Sequence, residues 1–300
     1  MTVDVPDVHG RFEILELHAR GRTFTPEVDL SEIAKLCPGF SGAELANLVN
    51  EAALLSVREG RGEIDQHTLE EAIDRVVAGP AKKSHVLTEE ERWRIAVHES
   101  GHAVATRSIG QVVSAQKLSI VARGRQLGTA AHMLTDRDAV MHAQSDLERH
   151  LVAILAGTAA EWAEFGEGST GAMDDLHAAT KLARQMVTSY GMSPALGSVT
   201  IGEGGGEVFL GASLQDLGSI GPHTLDMIDD ETERIVEEAR ERALFVLREN
   251  WSAVHETARA LLEHETLSGH ALDAVLATVR EIDVEEIPLP EQESQRSAET

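Results

Sequence analysis

Apolar positions recur at steps of three and four along most of the chain, the spacing that lines one face of a helix. After Ser41, the residues Leu45, Leu48, Val49, Ala52 and Leu55 form one such stripe, and the pattern carries it to about Gly60. Helix starts are marked by a short polar residue with a carboxylate three positions on: Asp29 with Glu32, Ser41 with Glu44, and Thr88 with Glu91. At that spacing the two side chains satisfy the first free backbone donors of a helix. Helices are predicted around 12–19, 30–36, 42–60 and 66–78, the last stopped by Gly79-Pro80. Together they make a small helical unit over residues 1–80, followed by a connector over 79–86.

Beyond residue 81 the pattern predicts a helix over 89–109, closed by Gly110. Two strand-like pieces follow, 112–121 and 128–134, on either side of Arg123-Gly124-Arg125. Helices are then expected over 145–165 and 175–190, the long stretch 225–262 reads as strongly helical, and a short helix is expected near 269–279. Residues 202–211 are glycine-rich without a following Gly-Lys-Ser/Thr, which reads as a flexible loop and not a phosphate cradle. The stretch 281–300 holds seven acids and one arginine and reads as a disordered acidic tail.

Composition sharpens this into a fold class. The 300 residues, 42% of them hydrophobic, suffice for two cored domains. Aromatic residues are only 3%, so Leu, Val, Ile and Ala must fill the cores; the expected fold is mostly α with a small β-sheet element. A net charge of −25 opposes binding along a nucleic-acid backbone or an anionic membrane face. The single cysteine, Cys37, allows no internal disulfide and fits a reducing, cytoplasmic compartment; it reads as a buried structural thiol. No basic segment leads into an apolar one at the start of the chain. The longest apolar stretch, 151–160, is broken by Gly157 and Thr158 and falls short of the roughly 20 residues that cross a bilayer.

The sharpest chemical feature is His98-Glu99-Ser100-Gly101-His102, set in the middle of a capped helix. Residues four apart share a helix face, so both imidazoles can reach one metal while Glu99 stands beside them to polarise a water. A catalytic zinc takes three protein ligands plus water, so a third ligand is required. Asp175 is the preferred candidate, because a glycine-containing loop enters a helix there and a helix N-terminus favours a charged carboxylate. Asp174 is then expected to be the N-cap. Glu161 is the other candidate, as a ligand or as the acceptor that orients an imidazole.

These motifs resemble the FtsH-type ATP-dependent zinc metalloproteases, from the end of their AAA+ module through their peptidase domain. Residues 38–53, beginning Pro38-Gly39-Phe40-Ser41-Gly42-Ala43-Glu44, look like the AAA+ lid signature. His98-Glu99-Ser100-Gly101-His102-Ala103 looks like the zinc helix, and Ser169-Thr170-Gly171-Ala172 through Asp175 like the third-ligand segment. Arg123-Gly124, Leu127-Gly128, Ala159-Ala160-Glu161, Phe165-Gly166 and residues 207–211 also match, so that the likeness runs from about Pro6 to Val279. It implies a lid over 1–80, with a remnant of the nucleotide-binding subdomain at 1–10, and a zinc metallopeptidase domain over 81–280. It implies that His98, His102 and Asp175 hold Zn2+. It gives Glu99 the role of general base, taking a proton from the attacking water and returning it to the leaving amine.

The resemblance further implies unfolded polypeptide substrates, a six-fold ring, and an origin in protein quality control. An extended substrate could add to the edge of strand 112–121 or 128–134. The departures matter as well. The sequence contains no Gly-Lys dipeptide, so the ATP phosphate site of the complete family is absent, and the chain looks like a C-terminal piece whose motor or membrane anchor a separate subunit would supply. Thr158, Ser100 and Asp174 stand where the family usually has arginine, alanine and asparagine. The competing expectation is a catalytically silent or truncated assembly or adaptor protein of the same fold.

Overall fold

A computed structural model describes residues 5–79, 87–110, 115–121, 129–132, 141–201, 220–283 and 287. The first four helices form where their caps sit. Helix α1 (Val8–Ala19) begins before the expected residue 12 because the Asp7 carboxylate accepts the Gly10 N–H at 2.7 Å. In α2 (Leu30–Lys35) Asp29 accepts from Ser31 and Glu32. The Ser41–Glu44 box opens α3 (Gly42–Arg58), and Asp65 caps α4 (Gln66–Ala78), which Gly79 ends at φ 83°. Leu15, Ile33, Leu45, Leu48 and Leu69 close a core of their own around the buried Cys37.

A second, larger core belongs to the remaining elements. Helix α5 (Glu89–Ser108) starts at the Thr88–Glu91 capping box and packs against α6 (Gln144–Phe165). Their axes approach closely at Gly101, where a Cβ would stand 2.6 Å from the Ala160 Cβ and 2.7 Å from the Ala156 carbonyl oxygen. A 3-10 turn (Thr170–Ala172) leads into α7 (Met173–Thr188). The strongly helical stretch 225–262 is helical as expected and divides into two helices, α8 (Pro222–Glu249) and α9 (Trp251–His264). The break falls at buried Asn250, whose side-chain amide donates to Ser108 Oγ at 3.1 Å and whose Oδ1 accepts the Arg280 N–H at 2.7 Å. Those tertiary partners outweigh helix continuation. Helix α10 (Gly269–Val275) ends before the expected 279 in a 3-10 turn, Leu276–Thr278.

The sheet is antiparallel, in the order β2-β1-β3, with β1 at Ala115–Ser119, β2 at Thr129–His132 and β3 at Thr266–Ser268. Leu118 of β1 lies opposite Ala130 on one side and Leu267 on the other. Among the described residues β1, within the strand predicted over 112–121, is therefore central, and β2 is an edge strand. Strand β3 is absent from the sequence prediction, three residues being too few to show alternation. It is locked onto β1 by the Ser119 and Thr266 hydroxyls, 2.9 Å apart, and by Ile120 N–H donating to Glu265 O at 3.0 Å. Lys117 reaches from β1 to Asp74 of α4 at 2.6 Å, an ion pair between the elements of the two cores.

The disorder predicted from residue 281 does not hold for the described part of that stretch. Ile282 N–H donates to Ser108 O at 2.8 Å, and Ile287 is buried in the larger core. The rest of the tail, the connector after Gly79, the turn at 123–125 and the glycine-rich stretch 202–211 lie outside the described residues. No helix among the described residues is long and apolar enough to cross a membrane.

Candidate metal centre

The two histidines predicted to share a helix face do so, and α6 crosses them. His98 and His102 are both buried, with ring centroids 4.8 Å apart. The His102 Nδ1 lies 2.8 Å from the Ala153 carbonyl oxygen. A carbonyl only accepts, so Nδ1 carries the proton and Nε2 of the neutral ring carries the lone pair. The His98 Nδ1 donates in the same way to Glu161 Oε1 at 2.7 Å. Both Nε2 atoms are thus turned toward one point, 3.1 Å from each other.

Asp175 arrives at that point from α7, its Oδ2 at 3.0 Å from His98 Nε2 and 3.4 Å from His102 Nε2. All three donor atoms lie within 4.8 Å of one another. Asp174 is not the N-cap predicted for it. The helix begins at Met173, and both aspartates sit in its first turn, where the N-terminal partial charge favours a carboxylate. The cap of the preceding 3-10 turn is Ser169, a residue whose own role no local sequence pattern marks.

Of the two candidates for the third position, the structure brings Asp175 to the Nε2 atoms and leaves Glu161 behind His98. Glu161 is 1% exposed and accepts from His98 Nδ1, from Ser169 Oγ at 3.0 Å and from Arg94 at 3.5 Å. Burial alone raises its carboxyl, but these donors hold it below the usual carboxylate range. Burial also works against the His98 imidazolium, yet the Asp175 and Glu161 carboxylates, with the Glu99 charge, push the ring up to about 10. For Asp175 burial is again opposed, by the His102 and His98 rings against it, and the group stays well below its ordinary range.

The residues fit a zinc-like ion. Two imidazole nitrogens and one carboxylate oxygen are a donor set that suits Zn2+ with an open fourth position. Two lone-pair nitrogens 3.1 Å apart repel unless a cation or proton lies between them. Space is kept by Gly157: a Cβ there would stand 2.5 Å from both Nε2 atoms. That glycine, in the middle of an apolar helix, was the available sequence signal for a close approach. Glu99, 7% exposed, sits on α5 beside His98, where its charge reaches the ring.

Comparison with known proteins gives the family. Residues 85–275 match the profile of peptidase family M41, and residues 27–71 that of the AAA+ lid domain. The chain is 66% identical over 288 residues to the "ATP-dependent zinc metalloprotease FtsH 2" of Conexibacter woesei, covering 96% of this chain and 42% of that protein. It is 41% identical over 275 residues to "ATP-dependent zinc metalloprotease FtsH 1" of Thermoanaerobacter sp., covering 92% of this chain and 45% of that protein. To "ATP-dependent zinc metalloprotease FtsH" of Synechococcus sp. it is 40% identical over 278 residues, covering 92% and 44%. It spans less than half the length of each of these relatives. With its match running across the residues that build the centre, the chain belongs to peptidase family M41 and carries an AAA+ lid domain.

Proposed function

We propose that the chain is a zinc metalloendopeptidase that cleaves unfolded polypeptide, the proteolytic part of an ATP-dependent protease of the kind its relatives' names describe. His98, His102 and Asp175 hold the metal, and Glu99 is the general base. The observation that carries this reading is the locking of both Nδ1–H groups, to Ala153 O and Glu161 Oε1, which turns both Nε2 atoms toward the point that Asp175 Oδ2 also reaches. When bound, zinc supplies a water of lowered pKa and an electrophile for the scissile carbonyl. Glu99 takes the proton of the attacking water and delivers it to the leaving amine, a transfer that a buried carboxylate next to the first ligand is placed to make. Glu161 holds the His98 ring in orientation throughout.

The lid occupies residues 1–80 and the peptidase 81–280. The substrate adds as an extended strand along β2, the edge next to central β1. The working assembly is a six-fold ring of this chain acting on polypeptide substrates. Purified chain is expected to contain about one zinc and to degrade casein, and Glu99→Gln to abolish cleavage while retaining the metal. A preparation that takes up no zinc overturns the reading.

A further inference from the structure

Both histidines come from one helix, so its geometry sets their spacing. Asp175 comes from another, and its carboxylate is 27% exposed. The coordinate left to be determined is therefore the placement of the α7 start relative to α5 and α6. Chain entry to α7 runs through Gly166, Gly168 and Gly171, residues that give the backbone wide freedom. One side chain in that stretch makes directional contacts on both sides. Ser169 Oγ donates to Glu161 Oε1 at 3.0 Å, the same oxygen that accepts from His98 Nδ1. It also accepts the Gly171 N–H at 3.2 Å and so caps the turn Thr170–Ala172, which passes directly into α7.

A hydroxyl has one proton to give and lone pairs to receive with. Here the proton is committed to α6 and a lone pair to the segment that launches Asp175. The links form a closed circuit: Gly171 N–H to Ser169, Ser169 to Glu161, Glu161 to His98, and His98 Nε2 to Asp175 Oδ2 at 3.0 Å. Arg94 engages the other Glu161 oxygen while its guanidinium lies 4.1 Å from the Phe165 ring centroid, which restrains the carboxylate from turning.

We propose that Ser169 is a positioning residue of the metal centre: its hydroxyl ties the segment 169–175 to Glu161 and thereby sets the Asp175 carboxylate against His98. The inference rests on the reading of His98, His102 and Asp175 as ligands. It is tested on the whole chain with Ser169→Ala and Ser169→Thr. The two readouts are Zn2+ affinity, by competition with a chromophoric chelator, and the visible absorption of the Co2+-loaded protein.

Ser169→Ala is expected to weaken zinc binding by about 10- to 100-fold and to change the cobalt band envelope. Ser169→Thr keeps donor and acceptor and is expected to restore both. If Ser169→Ala binds zinc as the wild type does and gives the wild-type cobalt spectrum, losing only melting temperature, the hydroxyl is a turn cap and the proposal fails. Wild-type protein that takes up neither ion overturns the ligand assignment itself, whereas loss in Ser169→Ala beside an intact wild type isolates the positioning role.

Discussion

Gly157 lies against His98 so closely that a Cβ on it would stand 2.5 Å from the imidazole Nε2, and equally from that of His102. The absence of a side chain at this point of α6 is what leaves room between the donors. Gly157→Ala should improve intrinsic helix propensity by up to about 1 kcal/mol. It should nonetheless reduce zinc content to near zero while the helical circular dichroism is kept. Full zinc content in this variant would show that the donors converge elsewhere.

Glu161 touches His98 Nδ1 and Ser169 Oγ and so bears on the proposed metal centre through them. Glu161→Gln keeps an oxygen to accept from Nδ1 but removes the charge, and Glu161→Ala removes both. Zinc affinity should fall by about 10-fold in the first and about 100-fold in the second. Chelator competition measures both, and equal affinity in all three proteins would contradict the role.

Gly101 is a matter of packing rather than chemistry. Its methyl would meet the Ala156 backbone oxygen at 2.7 Å, and backbone cannot give way as a flexible side chain can. Gly101→Ala should force α5 and α6 apart and cost about 1–3 kcal/mol in urea denaturation. An unchanged midpoint would mean that the two helices adapt.

Asn250 joins the α8–α9 break to Ser108 and Arg280, all within a buried network. Asn250→Leu would leave the Arg280 N–H and the Ser108 hydroxyl without this partner, at about 1–3 kcal/mol. The accompanying sign should be faster hydrogen exchange at Ile282, whose N–H donates to Ser108 O. Protection at Ile282 equal to wild type would place its support elsewhere.

Burial pushes the Cys37 thiol from its ordinary value of 9.0 up to about 12, against the opposing charge of Arg11. The raised value has a definite sign for stability: the contribution is complete below 9.0 and is lost as pH rises towards 12. Cys37 should not react with a disulfide reagent in native protein at pH 8 and should react once urea unfolds the first core. Rapid labelling of native protein would show that this core opens.

How far the sequence reached depended on the range of the interaction. Caps and stripes bind residues three or four apart, so α3, α4 and α5 were legible nearly to the residue, and the His98–His102 pair came with its helix. The predicted mostly helical fold rests on the same local physics. The division of the helical stretch 225–262 is not legible in the sequence because the partners of Asn250 lie at 108 and 280, where no local pattern points. The same holds for β3, which is a strand only because β1 is beside it.

For the site, the sequence by itself determined the donors available and the helix that pairs two of them, since covalent spacing and helix pitch fix both. Only the tertiary structure brought Asp175 rather than Glu161 to the Nε2 atoms, turned the imidazoles by way of Ala153 O, and placed Gly157 beneath them. Those choices depend on how α6 packs on α5 and α7 on α6, which is the outcome of packing three apolar faces together and is written in no single segment.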